Sequence, residues 1–382
     1  MAEETRWTVN SILNWTQQYF GRRGVDSPRL DAEILLCDIL GCKRVDLFLR
    51  FNEELGPDVL KRYHEAVVRR AGREPVAYIL GRKGFLKWDF KVTPDVLIPR
   101  PETELLVENI VRCLTGKSLV QLEKEAFWRR KAEEMRTLAE KSREAARARL
   151  QEETDPDKAR FIVQEATDRQ AAAEEAAARN TGGADELRQH RLSLLDVGTG
   201  SGAILLSLLA LLPDASGTAL DISPAALAVA KENARNLGVA ERTEFLESDL
   251  LARVPAGRRY DVIVSNPPYI PEGDMAGLAP EVHREPELAL RGGRDGLDVY
   301  RRLLRQLPSF LAEDGLAAFE VGIGEGQAVA ALCARAGLAE TAVCLDFAGI
   351  DRMVFAARPG SRYAAAVAAL RDGNKNPAEN GK

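Results

Sequence analysis

The sequence predicts an α/β protein with a mainly parallel, doubly wound sheet, a small N-terminal helical domain and a long helical insertion. Three observations support this prediction. From residue 192 onward, short apolar strand-like segments alternate with helical ones, a rhythm typical of βαβ units with helices on both sheet faces. Residues 8 to about 75 carry apolar residues at helical spacing. Residues 117–190 are rich in Ala, Glu, Arg, Lys and Gln, which favour long charged helices.

Composition narrows the class of protein. A chain of 382 residues is long enough for two or three structural units. Its net charge of −5 disfavours a protein that coats free nucleic acid, because such binding needs a basic face. Five cysteines without a C-x-x-C pair, and only 3 histidines, disfavour a disulfide framework and a metal site. The N-terminus lacks the apolar core of a signal peptide, and no segment is long and apolar enough for a bilayer. We therefore expect a cytoplasmic protein without a membrane partner.

The region before the insertion contains two signals. Apolar runs at 85–92 and 96–98, separated by Thr93-Pro94-Asp95, predict a β-hairpin. Pro101, followed by Glu102 and Glu104, predicts a helix that runs to about residue 113.

The insertion is interrupted at Asp155-Pro156-Asp157, which suggests an antiparallel pair of helices. Its large apolar residues are too unevenly spaced to predict a sustained heptad seam, and Asn180-Thr181-Gly182-Gly183 predicts a flexible joint at its end. The simplest interpretation is a solvated insertion without a catalytic role.

The remainder of the chain predicts the elements of the sheet in order: strand 192–197, helix 203–212, strand 217–220, helix 224–237, strands 243–246 and 260–265, helix 297–311, strand 316–321, helix 326–336, and strands 340–345 and 352–357.

The tetrapeptide Asn266-Pro267-Pro268-Tyr269 directly follows the buried strand at 260–265. Prolines end a strand because they cannot donate to the ladder, and ligands of open α/β sheets bind at the carboxyl ends of strands. The oxygens of the Asn266 side chain and the Pro267 carbonyl can both accept hydrogen bonds from one NH2 group, while the ring of Tyr269 covers its flat face. The tetrapeptide therefore predicts a site for a planar amino group, although a proline-rich turn capped by Asn would have the same sequence.

A glycine-rich loop follows the strand at 192–197. It comprises Gly198-Thr199-Gly200-Ser201-Gly202 and precedes a helix, so its backbone N–H groups can approach a ligand closely. The spacing of Gly198, Gly200 and Ala203 also satisfies a relaxed nicotinamide-dinucleotide fingerprint, and the loop alone does not discriminate between ligands.

Carboxylates at three successive strand ends favour one ligand. Asp196 suits a cationic amino-acid group better than a pyrophosphate, and Asp221 is placed to accept both ribose hydroxyls. Asp249 is placed to read an adenine amino group, with Leu250 packing on the ring. Each Asp alone could be a helix cap, but the three together predict S-adenosyl-L-methionine, a methyl donor.

The core with this tetrapeptide resembles class I S-adenosylmethionine-dependent methyltransferases, which have a Rossmann-like sheet. Further motifs resemble the HemK/PrmC family, whose members methylate the glutamine nitrogen (N5) of the Gly-Gly-Gln loop in peptide chain release factors. These motifs are SPRLDAEILL (27–36), REPVAYILG (73–81), LIPRPETE (97–104), PEVHREP (280–286), GGRDGL (292–297) and DFAGIDR (346–352).

The resemblance implies a division of the chain and a partner. We expect an N-terminal helical substrate-recognition domain at 1–77, a β-hairpin connector with the first helix of the catalytic domain at 78–116, the insertion at 117–190, the methyltransferase core at 191–358 and a tail at 359–382. The partner implied is a release factor. The resemblance also implies that the segment around Arg100 lines the cofactor cleft. The chain departs from the family in its long insertion, in Ile350 and in its C-terminal extension, and the insertion could cover the cofactor entrance or contact the partner.

Three other functions fit part of the pattern. A sibling enzyme that methylates a glutamine of a ribosomal protein would share the core and the tetrapeptide. An N6-adenine nucleic-acid methyltransferase would also bind a planar NH2, but it would need a base-flipping site and a basic surface. A non-enzymatic scaffold would have no need of an intact glycine loop and tetrapeptide, although a fold alone never establishes activity.

Overall fold

The computed structural model describes residues 6–178 and 191–373. The chain forms two compact units. The first comprises Met1–Leu106, Ser193–Ala210 and Ala215–Lys382, and the second comprises Val107–Leu192 with Leu211–Asp214.

The first unit begins with the predicted helices. Thr8 caps the first helix by accepting a hydrogen bond from the Ser11 backbone, and prolines occupy the first position of the second and fourth helices, where no N–H is needed. Their buried faces share one apolar cluster that includes Leu13, Phe20 and Leu36. The helices are α1 (Val9–Arg22), α2 (Pro28–Leu40), α3 (Arg44–Leu49), α4 (Pro57–Ala71) and α5 (Val76–Leu80).

The predicted hairpin exists but lies earlier than expected. Strands β1 (Arg82–Phe85) and β2 (Trp88–Lys91) are antiparallel and joined at Leu86, which adopts a left-handed φ of 52°. The run at 96–98 is therefore not a strand, because the first apolar run folds back on itself and supplies both strands. Val96 and Ile98 are instead buried in a small apolar cluster with Tyr78.

A seven-stranded sheet forms the centre of this unit, in the order β10-β11-β9-β6-β3-β4-β5. Neighbours from β9 to β5 are parallel, and β11 is antiparallel to both β9 and β10. The chain winds outward from β3 through β4 to β5, then returns to place β6 on the other side of β3. This reversal opens a crevice at the carboxyl ends of β3 and β6. The strands are β3 (Ser193–Val197), β4 (Ser216–Asp221), β5 (Thr243–Glu247), β6 (Tyr260–Ser265), β9 (Leu311–Glu320), β10 (Glu340–Leu345) and β11 (Asp351–Ala357).

The remaining elements agree with the predicted rhythm within a few residues, except that the helix expected at 297–311 ends earlier and β9 begins at Leu311. Two short strands, β7 (Ile270–Pro271) and β8 (Arg291–Gly293), pair after the tetrapeptide. The polar end of the predicted tail lies outside the described residues. The helices are α6 (Pro101–Thr115), which opens at the expected proline, then α9 (Ala203–Leu211), α10 (Pro224–Asn236), α11 (Asp298–Gln306), α12 (Gly326–Arg335) and α13 (Ala364–Gly373).

The second unit contains the predicted helix pair, α7 (Leu119–Glu152) and α8 (Pro156–Ala178). Arg169 donates a hydrogen bond to Ser142 at 3.2 Å, and Arg149 lies 3.9 Å from Glu165, so the helices run antiparallel. The predicted uneven spacing concerns the large apolar residues of the insertion, and small residues follow a different pattern. Alanines spaced by seven are buried on α7, because small side chains allow close approach: Ala132, Ala139 and Ala146. The predicted joint at 180–183 lies outside the described residues, and no helix within the described part is long and apolar enough to cross a membrane.

Candidate active site

The glycine loop lies at the carboxyl end of β3, as predicted. Gly198, Gly200 and Gly202 all have left-handed φ values (77°, 56° and 83°) that other residues rarely adopt. The backbone N–H groups of Gly198 and Thr199 donate to the Leu220 carbonyl at 2.9 and 2.8 Å. These bonds tie the loop to the end of β4 and leave Gly198 exposed at the crevice.

Asp196 lies beneath the loop, fully buried. The Thr199 hydroxyl donates to its Oδ2 at 2.7 Å, while its Oδ1 has no hydrogen-bond partner. Burial disfavours the charged form and raises the pKa of Asp196 to about 7. A buried carboxyl with a spare acceptor fits a nearby cationic ligand, whose charge would favour ionisation. Its role toward the amino-acid group stays a prediction.

Asp221 lies at the end of β4, half-buried beside the loop. Its Oδ2 accepts from the Gly200 backbone and its Oδ1 from the Ser223 backbone, each at 2.9 Å. Each carboxylate oxygen can accept a second hydrogen bond, so the group retains capacity for two hydroxyls. Ile222 beside it is 52% exposed, an apolar surface at the crevice that the sequence argument missed.

Asp249 lies two residues beyond the end of β5 and is half-exposed. Arg302 on α11 donates to its Oδ2 at 2.6 Å, which leaves its other oxygen available. Leu250 follows with a left-handed φ of 51°, an uncommon conformation for a residue with a side chain. The roles of Asp249 and Leu250 toward adenine stay predictions.

The tetrapeptide follows β6 directly. The Ser265 hydroxyl donates to the Val197 carbonyl at 2.6 Å, so the ends of β6 and β3 are held together. Pro267 is buried, whereas Asn266, Pro268 and Tyr269 are partly exposed. The structure thus brings the tetrapeptide and the glycine loop to neighbouring strand ends, where the sequence placed them.

Glycines surround Tyr269. A Cβ on Gly292 would lie 2.6 Å from the Tyr269 carbonyl carbon, and one on Gly296 would lie 2.5 Å from its carbonyl oxygen. A Cβ on Gly322 would lie 3.2 Å from the tyrosine ring. The GGRDGL motif therefore has a structural explanation, because it provides the space in which the tetrapeptide backbone lies. Burial raises the pKa of Tyr269, so its hydroxyl is neutral at physiological pH.

A buried glutamate that the sequence argument missed lies beside Asn266. Glu320 ends β9, is 2% exposed, and accepts a hydrogen bond from the Thr103 hydroxyl at 2.5 Å. Burial raises the pKa of Glu320 to about 7, while hydrogen bonds from Thr103 and Asn266 and the charge of Arg352 oppose that shift. The sequence feature that could have identified Glu320 is a charged residue at the end of an apolar strand.

A second glutamate network joins the segment after Tyr269 to the N-terminal helices. Glu281 pairs with Arg70 at 2.8 Å and with Arg73 at 2.7 Å, and Arg70 also binds Asp31 of α2 at 2.7 Å. Asp31, Arg73 and Glu281 belong to motifs that resemble the HemK/PrmC family, and Arg70, which lies outside those motifs, connects Asp31 to Glu281.

Glu285, which lies in the same segment as Glu281, contacts the residues just before α6. It accepts from the Ile98 backbone at 2.9 Å and pairs with Arg100. Arg100 is therefore engaged by an ion pair at the start of α6. In the described ranges, 6–178 and 191–373, no cluster of three or more His, Cys, Asp or Glu side chains could hold a metal.

The sheet order and the two neighbouring strand-end loops define a class I methyltransferase. A family model described as "Methyltransferase small domain" matches residues 184–285, and one described as "PrmC N-terminal domain" matches residues 11–81.

Curated relatives agree over nearly the whole chain. The Geobacter sulfurreducens protein named release factor glutamine methyltransferase is 34% identical over 91% of this chain and 96% of its own. Its namesake from Moorella thermoacetica is 38% identical over 92% of this chain and 99% of its own. The protein of the same name from Cereibacter sphaeroides is 37% identical over 88% of this chain and 94% of its own. The chain belongs to the release factor glutamine methyltransferase family.

Proposed function

We propose that this protein transfers a methyl group from S-adenosylmethionine to the side-chain amide nitrogen (N5) of the glutamine in the Gly-Gly-Gln loop of peptide chain release factors. The observation that carries the proposal is the Ser265–Val197 hydrogen bond at 2.6 Å. This bond holds the ends of β6 and β3 together, so the tetrapeptide lies beside the glycine loop. The substrate amide and the methyl donor would therefore meet in one crevice at the strand ends. The relatives' shared name supports the choice of a release factor as substrate.

The tetrapeptide would activate the amide by holding it. An amide nitrogen is a weak nucleophile because its lone pair is delocalised into the carbonyl. Asn266 Oδ1 and the Pro267 carbonyl would accept its two hydrogens and stabilise the positive charge that develops on nitrogen. Tyr269 would cover the amide plane and direct the nitrogen toward the donor. The proton is lost to water after transfer, and no general base is required.

The cofactor is held by the loop and the strand-end carboxylates. S-adenosylmethionine supplies an electrophilic methyl group on a sulfonium ion. Asp221 would accept the ribose hydroxyls, Asp249 and Leu250 would bind the adenine, and Asp196 would face the amino-acid group. The other loop residues would provide backbone contacts: Gly198, Thr199, Gly200, Ser201 and Gly202. Together with Asn266 they form the proposed cofactor site.

The proposed roles of the chain segments are those that the resemblance implies. We assign substrate recognition to residues 1–77, a connector to 78–116, an insertion to 117–190, the catalytic core to 191–358 and a tail to 359–382. We also propose that the protein acts in the cytoplasm, where such a substrate is used, without free nucleic acid or a membrane as partner.

A methyl-transfer assay with several acceptors tests the proposal. Radiolabelled S-adenosylmethionine is incubated with the enzyme and a release factor, its Gly-Gly-Gln Gln→Ala variant, a ribosomal-protein mixture, or DNA. We expect label on the release factor alone. Label on the Gln→Ala variant or on DNA would contradict the proposal, and label on ribosomal protein only would favour the sibling activity.

A further inference from the structure

We propose that Glu320 is a positioning residue for the methyl transfer. Its carboxylate accepts a hydrogen bond from the Asn266 side-chain NH2 and so turns Asn266 Oδ1 toward the substrate amide, while Thr103 holds Glu320 in place. This inference deepens the proposed function and rests on it.

The fold places Glu320 next to Asn266. Strands β6 and β9 are parallel, and their register pairs Ser265 with Phe319, so the next residues of the two strands are also neighbours. The Tyr300 hydroxyl donates to the Glu320 carbonyl at 2.6 Å, which fixes the backbone at this point. Glu320 therefore has little freedom to move.

Thr103 holds the other side of the carboxyl group. It lies in the first turn of α6, is 4% exposed, and donates to Glu320 Oε2 at 2.5 Å. A buried carboxyl needs such partners because unpaired polar groups in the interior are costly. With the Thr103 hydroxyl on one side and the Asn266 amide on the other, Glu320 joins α6 to the substrate site.

The ability of Asn266 Oδ1 to bind the substrate amide depends on whether the Glu320 carboxyl is ionised or protonated. An ionised Glu320 can only accept, so it binds the NH2 of Asn266 and leaves Oδ1 for the substrate. A protonated Glu320 can donate to Oδ1, and that bond would occupy the acceptor that the substrate amide needs. The Asn266 side chain beside Glu320 favours the ionised carboxylate and lowers its pKa.

Charged groups on neighbouring elements act on the same carboxyl. Burial raises its pKa to about 7, Arg352 of β11 favours the ionised form, and Glu102 of α6 opposes it. Tyr269 is the only titratable residue of the tetrapeptide, and its own pKa is raised by burial. The fraction of Glu320 that is ionised, and with it the transfer rate, should rise as pH increases through about 7.

The test measures single-turnover methyl transfer to a release factor between pH 5.5 and 9 for the wild type, Glu320→Gln, Thr103→Val and its matched control Thr103→Ser. We expect Glu320→Gln to lower the transfer rate on the order of a hundredfold, because Asn266 is misoriented. Its affinity for S-adenosylmethionine and its melting temperature should change little. Its rate should no longer depend on pH near 7. Thr103→Val should move the rate midpoint to higher pH, because a donor to the carboxylate is lost, whereas Thr103→Ser should not.

A second readout does not need an acceptor. The side-chain NH2 resonances of Asn266, identified in 15N-Asn-labelled protein by their loss in Asn266→Ala, should shift with a midpoint near pH 7 in the wild type and not in Glu320→Gln. Asn266 resonances independent of pH, or wild-type rate and pH profile in Glu320→Gln, would overturn the proposal. No label on the release factor from the wild type, with the Asn266 titration intact, would instead refute the proposed substrate.

Discussion

Gly292 packs against Tyr269 so closely that a Cβ at position 292 would lie 2.6 Å from the tyrosine carbonyl carbon and 2.7 Å from its Cα. Real Cβ atoms essentially never approach another heavy atom within 3.0 Å. The obstacle is backbone, which cannot swing aside as a side chain can. The position of the tetrapeptide therefore depends on a glycine more than 20 residues away.

We expect Gly292→Ala to displace Tyr269 and to lower the methyl-transfer rate about a hundredfold, the typical cost of a misplacement near 1 Å. Affinity for S-adenosylmethionine should change much less, because the glycine loop is on another strand. Gly277→Ala is the matched control, since nothing lies within 4 Å of its Cβ position. Equal rates for the two variants would show that Gly292 does not set the tetrapeptide position.

Asn266→Ala removes the proposed acceptor for the substrate amide. Loss of one preorganised polar group in an active site typically costs about 2.7–4 kcal/mol of barrier, a rate loss of about 10²–10³. Single-turnover kinetics should show this loss, while calorimetric titration should show a much smaller loss of affinity for S-adenosylmethionine, because Asn266 is one of several proposed cofactor contacts. A loss of cofactor affinity as large as the loss of rate would show that Asn266 acts mainly in donor binding.

Asn233 of α10 is a fully buried residue that joins the hairpin to the glycine loop. Its Nδ2 donates to the Lys91 and Ser201 carbonyls at 3.0 and 2.8 Å, and its Oδ1 accepts from the Lys91 backbone at 2.7 Å. Asn233→Ala leaves these groups unpaired, and we expect it to lower the free energy of unfolding by roughly 2–4 kcal/mol. Urea denaturation measures the change, and the exposed Asn236→Ala should differ little from the wild type.

Asp196 predicts a pH dependence of stability without cofactor. Its folded pKa of about 7 lies above the ordinary value of 3.8, so the folded state holds a proton that the unfolded chain releases between these values. The contribution of Asp196 to the free energy of unfolding should therefore fall as pH rises from about 4 to 7, then level off.

Asp196→Asn should flatten that decline by on the order of 4 kcal/mol, since the pKa is raised from 3.8 to about 7 and each pKa unit corresponds to about 1.4 kcal/mol. Denaturation at several pH values measures the slope. The exposed Asp26→Asn is the control. A slope unchanged by Asp196→Asn would mean that the residue is ionised in the folded protein.

Much of the site could be predicted because it lies at strand ends. A buried apolar run followed by glycines or prolines identifies a strand and its carboxyl end, and parallel strands bring those ends to one edge. The loop after β3 and the tetrapeptide after β6 were therefore placed correctly from local patterns. The hairpin was displaced because a left-handed turn at Leu86 is not predictable from a leucine.

The sequence by itself determined the element types, the strand-end residues and, through its motifs, the family. Only the tertiary structure decided which side chains meet: Glu320 with Thr103 across 217 positions, and Glu281 with Arg70 across 211. The tertiary structure also buries Asp196 beneath the glycine loop, where the Thr199 hydroxyl donates to its carboxylate. The physical reason is that periodicity and turn chemistry act over a few residues, whereas burial and long-range pairing depend on how the strands order themselves in the sheet.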